Sequence, residues 1–83
     1  GGKVQGSILS PNVRINSFSQ VYDSLLMEGV DVGRYAKIKR TIIDKEVRIP
    51  RGVVIGYDLA QDKKKFYVTD SGIVVVAKGT EIK

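Results

Sequence analysis

The side chains with chemistry to offer in this chain are cationic. Arg34, Lys37, Lys39, Arg40, Lys45, Arg48 and Arg51 fall in one short stretch, opposed there only by Asp44 and Glu46. Guanidinium and ammonium groups so placed attract anions, and the formal charge of +5 points the same way. The anion classes open to such a surface are nucleic acids, phosphorylated metabolites and acidic membranes. What the chain cannot do is equally plain. It has no histidine and no cysteine. A Ser-His or Cys-His nucleophile is therefore impossible, as are histidine and thiolate metal sites. No disulfide framework exists.

Nucleic acid is the poorest of the three anions. Stacking platforms need aromatic side chains interleaved with the cations. Here Phe18, Tyr22, Tyr35, Tyr57, Phe66 and Tyr67 are scattered. No nucleic-acid partner is expected. No apolar run approaches the length of a membrane span, and the start Gly1-Gly2-Lys3-Val4-Gln5 lacks the apolar segment of a secretory signal. No membrane partner is expected either.

These cations need elements to hold them, and the aliphatic residues define those elements. Val4, Leu9 and Ile15 are followed by Val21, Leu26 and Val32, then Ile38, Ile43 and Ile49, then Ile55. The steps run five, six, six, so the pattern returns every 17 residues. Neither a 3.6-residue helix nor a plain hairpin sheet has this period. A triangular prism does. Each hexad forms one short flat side, three sides make a coil, and stacked coils align equivalent residues into columns along the axis. The columns are Val4–Val21–Ile38–Ile55, Leu9–Leu26–Ile43 and Ile15–Val32–Ile49. The residue four positions after each column member is expected to point inward as well. Gly33, Gly56, Asn16 and Asp44, one after a column member, and Gly29 and Gly52, three after, are expected at tight corners.

The fold class expected is all-β: a left-handed parallel β-helix of hexapeptide repeats with about 17 residues per coil and a C-terminal β-hairpin cap. Residues 1–59 form the β-helix. Residues 60–83 form a polar linker and the hairpin, in the same domain. Phe66-Tyr67-Val68-Thr69 and Ile73-Val74-Val75-Val76 are the predicted hairpin strands around Asp70-Ser71-Gly72. The hairpin would cover the unpaired edge of the last coil. The Lys63-Lys64-Lys65 run reads as a solvated loop. The chain begins in mid-repeat at Val4, so a longer parent protein is expected. In this prism Arg34 and Arg51 occupy one outward column a coil apart, about 4.8 Å along the axis. Two like charges that close call for an anion between them.

Longer strings carry a family resemblance. Val32-Gly33-Arg34 through Ile38-Lys39-Arg40, Ile42-Ile43-Asp44-Lys45 and Ile49-Pro50-Arg51-Gly52-Val53-Val54-Ile55-Gly56 resemble the C-terminal domain of glucose-1-phosphate adenylyltransferase, also called ADP-glucose pyrophosphorylase. So do Gly6-Ser7-Ile8-Leu9-Ser10-Pro11 and the tail Lys65-Phe66-Tyr67-Val68-Thr69 with Gly72-Ile73-Val74-Val75-Val76. The resemblance spans nearly the whole chain. It implies a parent that makes ADP-glucose and pyrophosphate from ATP and glucose 1-phosphate with Mg2+, toward glycogen or starch. Catalysis there belongs to an N-terminal nucleotide-binding domain. The segment itself would be non-catalytic and hold no cofactor. It would serve tetramer assembly and allosteric control by phosphorylated metabolites. Its partners would be that catalytic domain, the other subunits and the effectors. Location would be the bacterial cytoplasm, or the plastid in a plant. Lys45 and Lys78 match positions where the family carries basic effector-binding residues; Arg34 and Arg51, picked by the coil stacking and not by the resemblance, are secondary phosphate-binding candidates. The alternative is a purely structural scaffold of another sugar-phosphate nucleotidyltransferase. Acyltransferases and a carbonic anhydrase also use hexapeptide β-helices, but they need histidines that this chain lacks.

Overall fold

The computed structural model describes residues 2–82. Val and Ile, stiff at the first side-chain torsion, favour extended backbone, and the chain uses them in strands of two or three residues. The first coil holds β1 (Lys3–Gln5), β2 (Ile8–Leu9) and β3 (Arg14–Ile15). The second holds β4 (Gln20–Tyr22), β5 (Leu25–Leu26) and β6 (Asp31–Val32). The third holds β7 (Lys37–Lys39), β8 (Thr41–Ile43) and β9 (Arg48–Ile49), and β10 (Val54–Ile55) opens a fourth. Equivalent strands pair in parallel, giving sheets β1-β4-β7-β10, β2-β5-β8 and β3-β6-β9. The result is a solenoid of about three turns and about 17 residues per turn, a left-handed β-helix.

All three aliphatic columns stand in register. Val4 faces Val21, Val21 faces Ile38, and Ile55 continues the row. Leu9–Leu26–Ile43 and Ile15–Val32–Ile49 do the same. Val21, Leu26, Val32, Ile38, Ile43, Ile49 and Ile55 are fully buried. Val30, Ala36 and Val47, each four residues after a column member, are buried with them.

The inward rule fails on the side that runs only five residues. Ile8 is 69% exposed, and Leu25, Ile42 and Leu59 are half-buried. The strand period explains this. Ile8, Leu25 and Ile42 directly precede inward residues on the same strand, so alternation turns them outward. The inward corner is taken instead by Ser24 and Thr41. These form a hydroxyl ladder with Ser7. The Ser24 amide donates to Ser7 Oγ at 3.0 Å and the Thr41 amide to Ser24 Oγ at 3.1 Å. Each hydroxyl in turn donates to the carbonyl two residues back: Gln5, Tyr22 and Lys39, at 3.0, 2.8 and 2.8 Å. Amides that this bend takes out of the β pairing thereby keep acceptors.

The corners are left-handed, though not always through glycine. Asn12, Gly29 and Glu46 share one such position, as do Phe18, Tyr35 and Gly52, and as do Gly6, Asp23 and Arg40, with φ between 48° and 75°. Gly33 is not among them. It meets close backbone instead, since a Cβ there would lie 2.7 Å from the Arg51 amide nitrogen.

The last coil departs from the prism after Ile55. Instead of a bare polar linker, Leu59–Asp62 forms a short helix, α1, capped by the Asp58 carboxylate, which accepts from the Gln61 amide at 3.2 Å. Asp62 is buried and accepts from the Gly56 amide at 2.9 Å, tying the helix to the coil end. The hairpin follows as β11 (Tyr67–Val68) antiparallel to β12 (Val74–Val76). Strand β12 is itself a coil strand. It pairs in parallel with β8, so Val76 becomes the fourth member of the Leu9–Leu26–Ile43 column. Strand β11 then covers that sheet's edge. The Arg40 guanidinium donates to the Ser71 carbonyl at 2.8 Å and holds the hairpin turn down.

Candidate functional site

Lys45 and Lys78 meet at one corner. Ile43 pairs with Val76, so the residues two further on, Lys45 and Lys78, occupy the same corner of successive coils. Both are exposed. The corner also carries acid. Glu46 Oε1 lies 3.9 Å from Lys78 Nζ, with 73% and 61% of the two side chains exposed, so the pair contributes little stability. Glu28 stands one coil below Lys45, and its carbonyl accepts from the Glu46 amide at 2.9 Å. The Asp44 carboxylate accepts from the Lys45 amide at 2.6 Å. Two ammonium groups thus share the corner with three carboxylates.

The arginines lie on a different face. Arg14, Asp31 and Arg48 face one another across β3, β6 and β9. Arg34 and Arg51 stack beside them, the Gly52 amide donating to the Arg34 carbonyl at 2.9 Å. A hollow of about 300 Å³ is lined by all four guanidinium-bearing residues, with Asn16, Asp31 and Pro50. Sequence reading reached Arg34 and Arg51 but not Arg14. Its 34-residue offset from Arg48, twice the coil period, was the available signal. Lys63, Lys64 and Lys65 are exposed after α1, lining a hollow with Val75, Ala77 and Thr80.

A third surface is apolar. Ile8, Leu25, Ile42 and Val75 align outward across β2, β5, β8 and β12. Elsewhere, Lys39 sits over the Tyr57 ring at 5.3 Å. Burial, and then Tyr22, push the Tyr57 phenol up from its ordinary value, so it adds no charge near neutral pH. Among the described residues no group of three or more Asp or Glu side chains is placed to hold a metal ion. Among the described residues no helix is long and apolar enough to cross a membrane.

A family model for the GlmU-like, C-terminal hexapeptide matches residues 1–76. The chain belongs to that family. The five-six-six period and the buried columns are the hexapeptide coils of this sequence. Within the family's reach, the chain is 55% identical over 82 residues to a glucose-1-phosphate adenylyltransferase of Anaeromyxobacter sp. (strain Fw109-5), covering 99% of this chain and 20% of the relative. It is 55% identical over 78 residues to that of Koribacter versatilis, covering 94% and 19%. It is 52% identical over 83 residues to that of Rhodopirellula baltica, covering 99% and 19%. The chain therefore spans about a fifth of the length of these relatives.

Proposed function

We propose that this chain is the C-terminal β-helix of a bacterial, cytoplasmic glucose-1-phosphate adenylyltransferase, the Mg2+-dependent enzyme that forms ADP-glucose and pyrophosphate from ATP and glucose 1-phosphate. Identity of 55% across 99% of the chain carries this reading. Catalysis and its metal belong to the remaining four-fifths of such a protein. The β-helix contributes regulation and subunit assembly, in a tetramer. Lys45 and Lys78 contact the phosphoryl groups of an allosteric effector, and their stacking on successive coils supports that role. Lysine acts there as a point charge, without the planar fork of arginine. The neighbouring carboxylates mean that further cations from the catalytic domain complete the site.

The test is ADP-glucose synthesis by the intact protein, with and without fructose 1,6-bisphosphate. A charge-assisted hydrogen bond contributes about 1.5–3 kcal/mol. Lys45→Ala is therefore expected to raise the activator concentration for half-maximal effect about tenfold or more, leaving unactivated turnover near wild type. An unchanged activation profile moves the effector elsewhere. If the wild type makes no ADP-glucose, another sugar-phosphate nucleotidyltransferase is the parent.

The aliphatic row favours a second, structural role in subunit contact. Ile8 is 69% exposed at its end, and Leu25, Ile42 and Val75 continue it. Burying a Leu or Ile side chain contributes about 1.5–3 kcal/mol. Leu25→Ser combined with Ile42→Ser is expected to weaken self-association on the order of a hundredfold, read by sedimentation across a dilution series. Unchanged assembly excludes this face from the subunit contact.

A further inference from the structure

We infer that the outer face of β3, β6 and β9 is a phosphoanion site separate from the Lys45–Lys78 corner. Its walls are Arg14, Arg34, Arg48 and Arg51. Parallel register puts Arg14 and Arg48 in one column, with Asp31 between them. Adjacent coils lie about 4.8 Å apart, so Arg34 and Arg51 project from the surface at nearly one strand spacing.

None of the four guanidinium groups has a carboxylate within 4.0 Å among the described residues, where the one ion pair is Lys78 with Glu46. Asp31, the single acid in the hollow, is engaged by Asn16 Nδ2 at 2.7 Å. Four cations against one carboxylate leave the hollow at +3. Unit charges at 4 Å repel by about 1 kcal/mol even at the dielectric of water. An anion seated among them replaces that repulsion with attraction. Arginine's planar fork matches a phosphoryl group by two parallel bonds.

The site is partly organised before any ligand arrives. Tyr35 is stacked by Phe18 from the coil below, ring centroids 5.1 Å apart and planes within 12°. Arg51 lies over the Tyr35 ring at 5.1 Å from the coil above. That contact restrains Arg51 and lowers the entropy lost on binding. A hollow of about 300 Å³ is of a size that holds a small ligand. The ligand class is a small phosphorylated or diphosphorylated anion.

This site stands on charge and register alone and does not depend on the effector role of Lys45 and Lys78. The test is the rate of phenylglyoxal modification of each arginine in the intact protein, read by peptide mass spectrometry, with sodium pyrophosphate as the probe. Sodium chloride at matched ionic strength is the reference. At pyrophosphate ten times its dissociation constant, Arg14, Arg34, Arg48 and Arg51 should each react about tenfold more slowly. Arg40, whose guanidinium is held at Ser71 on another face, should be unaffected. Arg34→Gln with Arg51→Gln should abolish the protection of Arg14 and Arg48. Lys45→Gln with Lys78→Gln should preserve it, even where activation is lost. Equal slowing at Arg40, equal slowing by sodium chloride, or no slowing at any of the four overturns the proposal.

Discussion

Ile43→Asp is expected to abolish cooperative folding. Ile43 is fully buried at the centre of its column, between Leu26 below and Val76 above. The substitution removes about 1.5–3 kcal/mol of apolar burial. It also places an unpaired carboxylate within the buried hydrophobic cluster, at an effective cost of several kcal/mol. A domain of this size has total stability of only about 4–12 kcal/mol. In a solenoid each coil rests on its neighbours, so damage to a central coil is not contained. Circular dichroism during urea denaturation measures it: wild type should show one transition, and the variant none at 25 °C. Ile42→Asp is the matched control. Ile42 is one residue away but turned outward, and it should keep the fold. If Ile43→Asp melts as wild type does, the column is not the core.

The same contrast explains what the sequence could reveal. Inward columns were legible because β alternation and coil stacking impose one period on Val, Leu and Ile. The Ser24–Thr41 corner was not. An inward hydroxyl carries no hydrophobic signal, and the five-residue side shifts the inward position by one. Val76 was hidden as a column member because α1 and β11 interrupt the period before β12 restores it. That interruption also hid the stacking of Lys78 on Lys45, which sequence periodicity could not join and which the resemblance paired on other grounds. Arg14 escaped notice because it lies two coils from the cation-rich stretch. Only strand register brings it beside Arg48. Long-range proximity in this fold is legible wherever the coil length stays constant, and is lost at the first excursion.

Gly56 and Gly52 provide the second large effect, because two glycines of similar backbone shape have different surroundings. Both are left-handed, with φ of +92° and +75°. At Gly52 an added Cβ would meet nothing within 4 Å. Gly52→Ala should therefore show only the left-handed penalty for an L-residue, about 1–2 kcal/mol. At Gly56 the Cβ would overlap the Lys39 carbonyl oxygen outright and lie 2.8 Å from the Lys39 carbonyl carbon. This is backbone, and it belongs to the strand that Ile55 pairs with through Ile38. Relief by moving the coil apart would break that pairing. Relief by moving Gly56 would pull its amide from the buried Asp62 carboxylate at 2.9 Å, stranding a polar group at a cost of about 1–3 kcal/mol. Either route adds to the left-handed penalty, so Gly56→Ala should destabilise by about 2–5 kcal/mol in urea denaturation, more than Gly52→Ala. The turn at Gly56 comes one residue earlier than the equivalent bends at Asp23 and Arg40, which is why the chain can leave the prism there and enter α1. A Gly56→Ala loss no larger than that of Gly52→Ala would mean that the coil end yields easily, and that Asp62 does not anchor it.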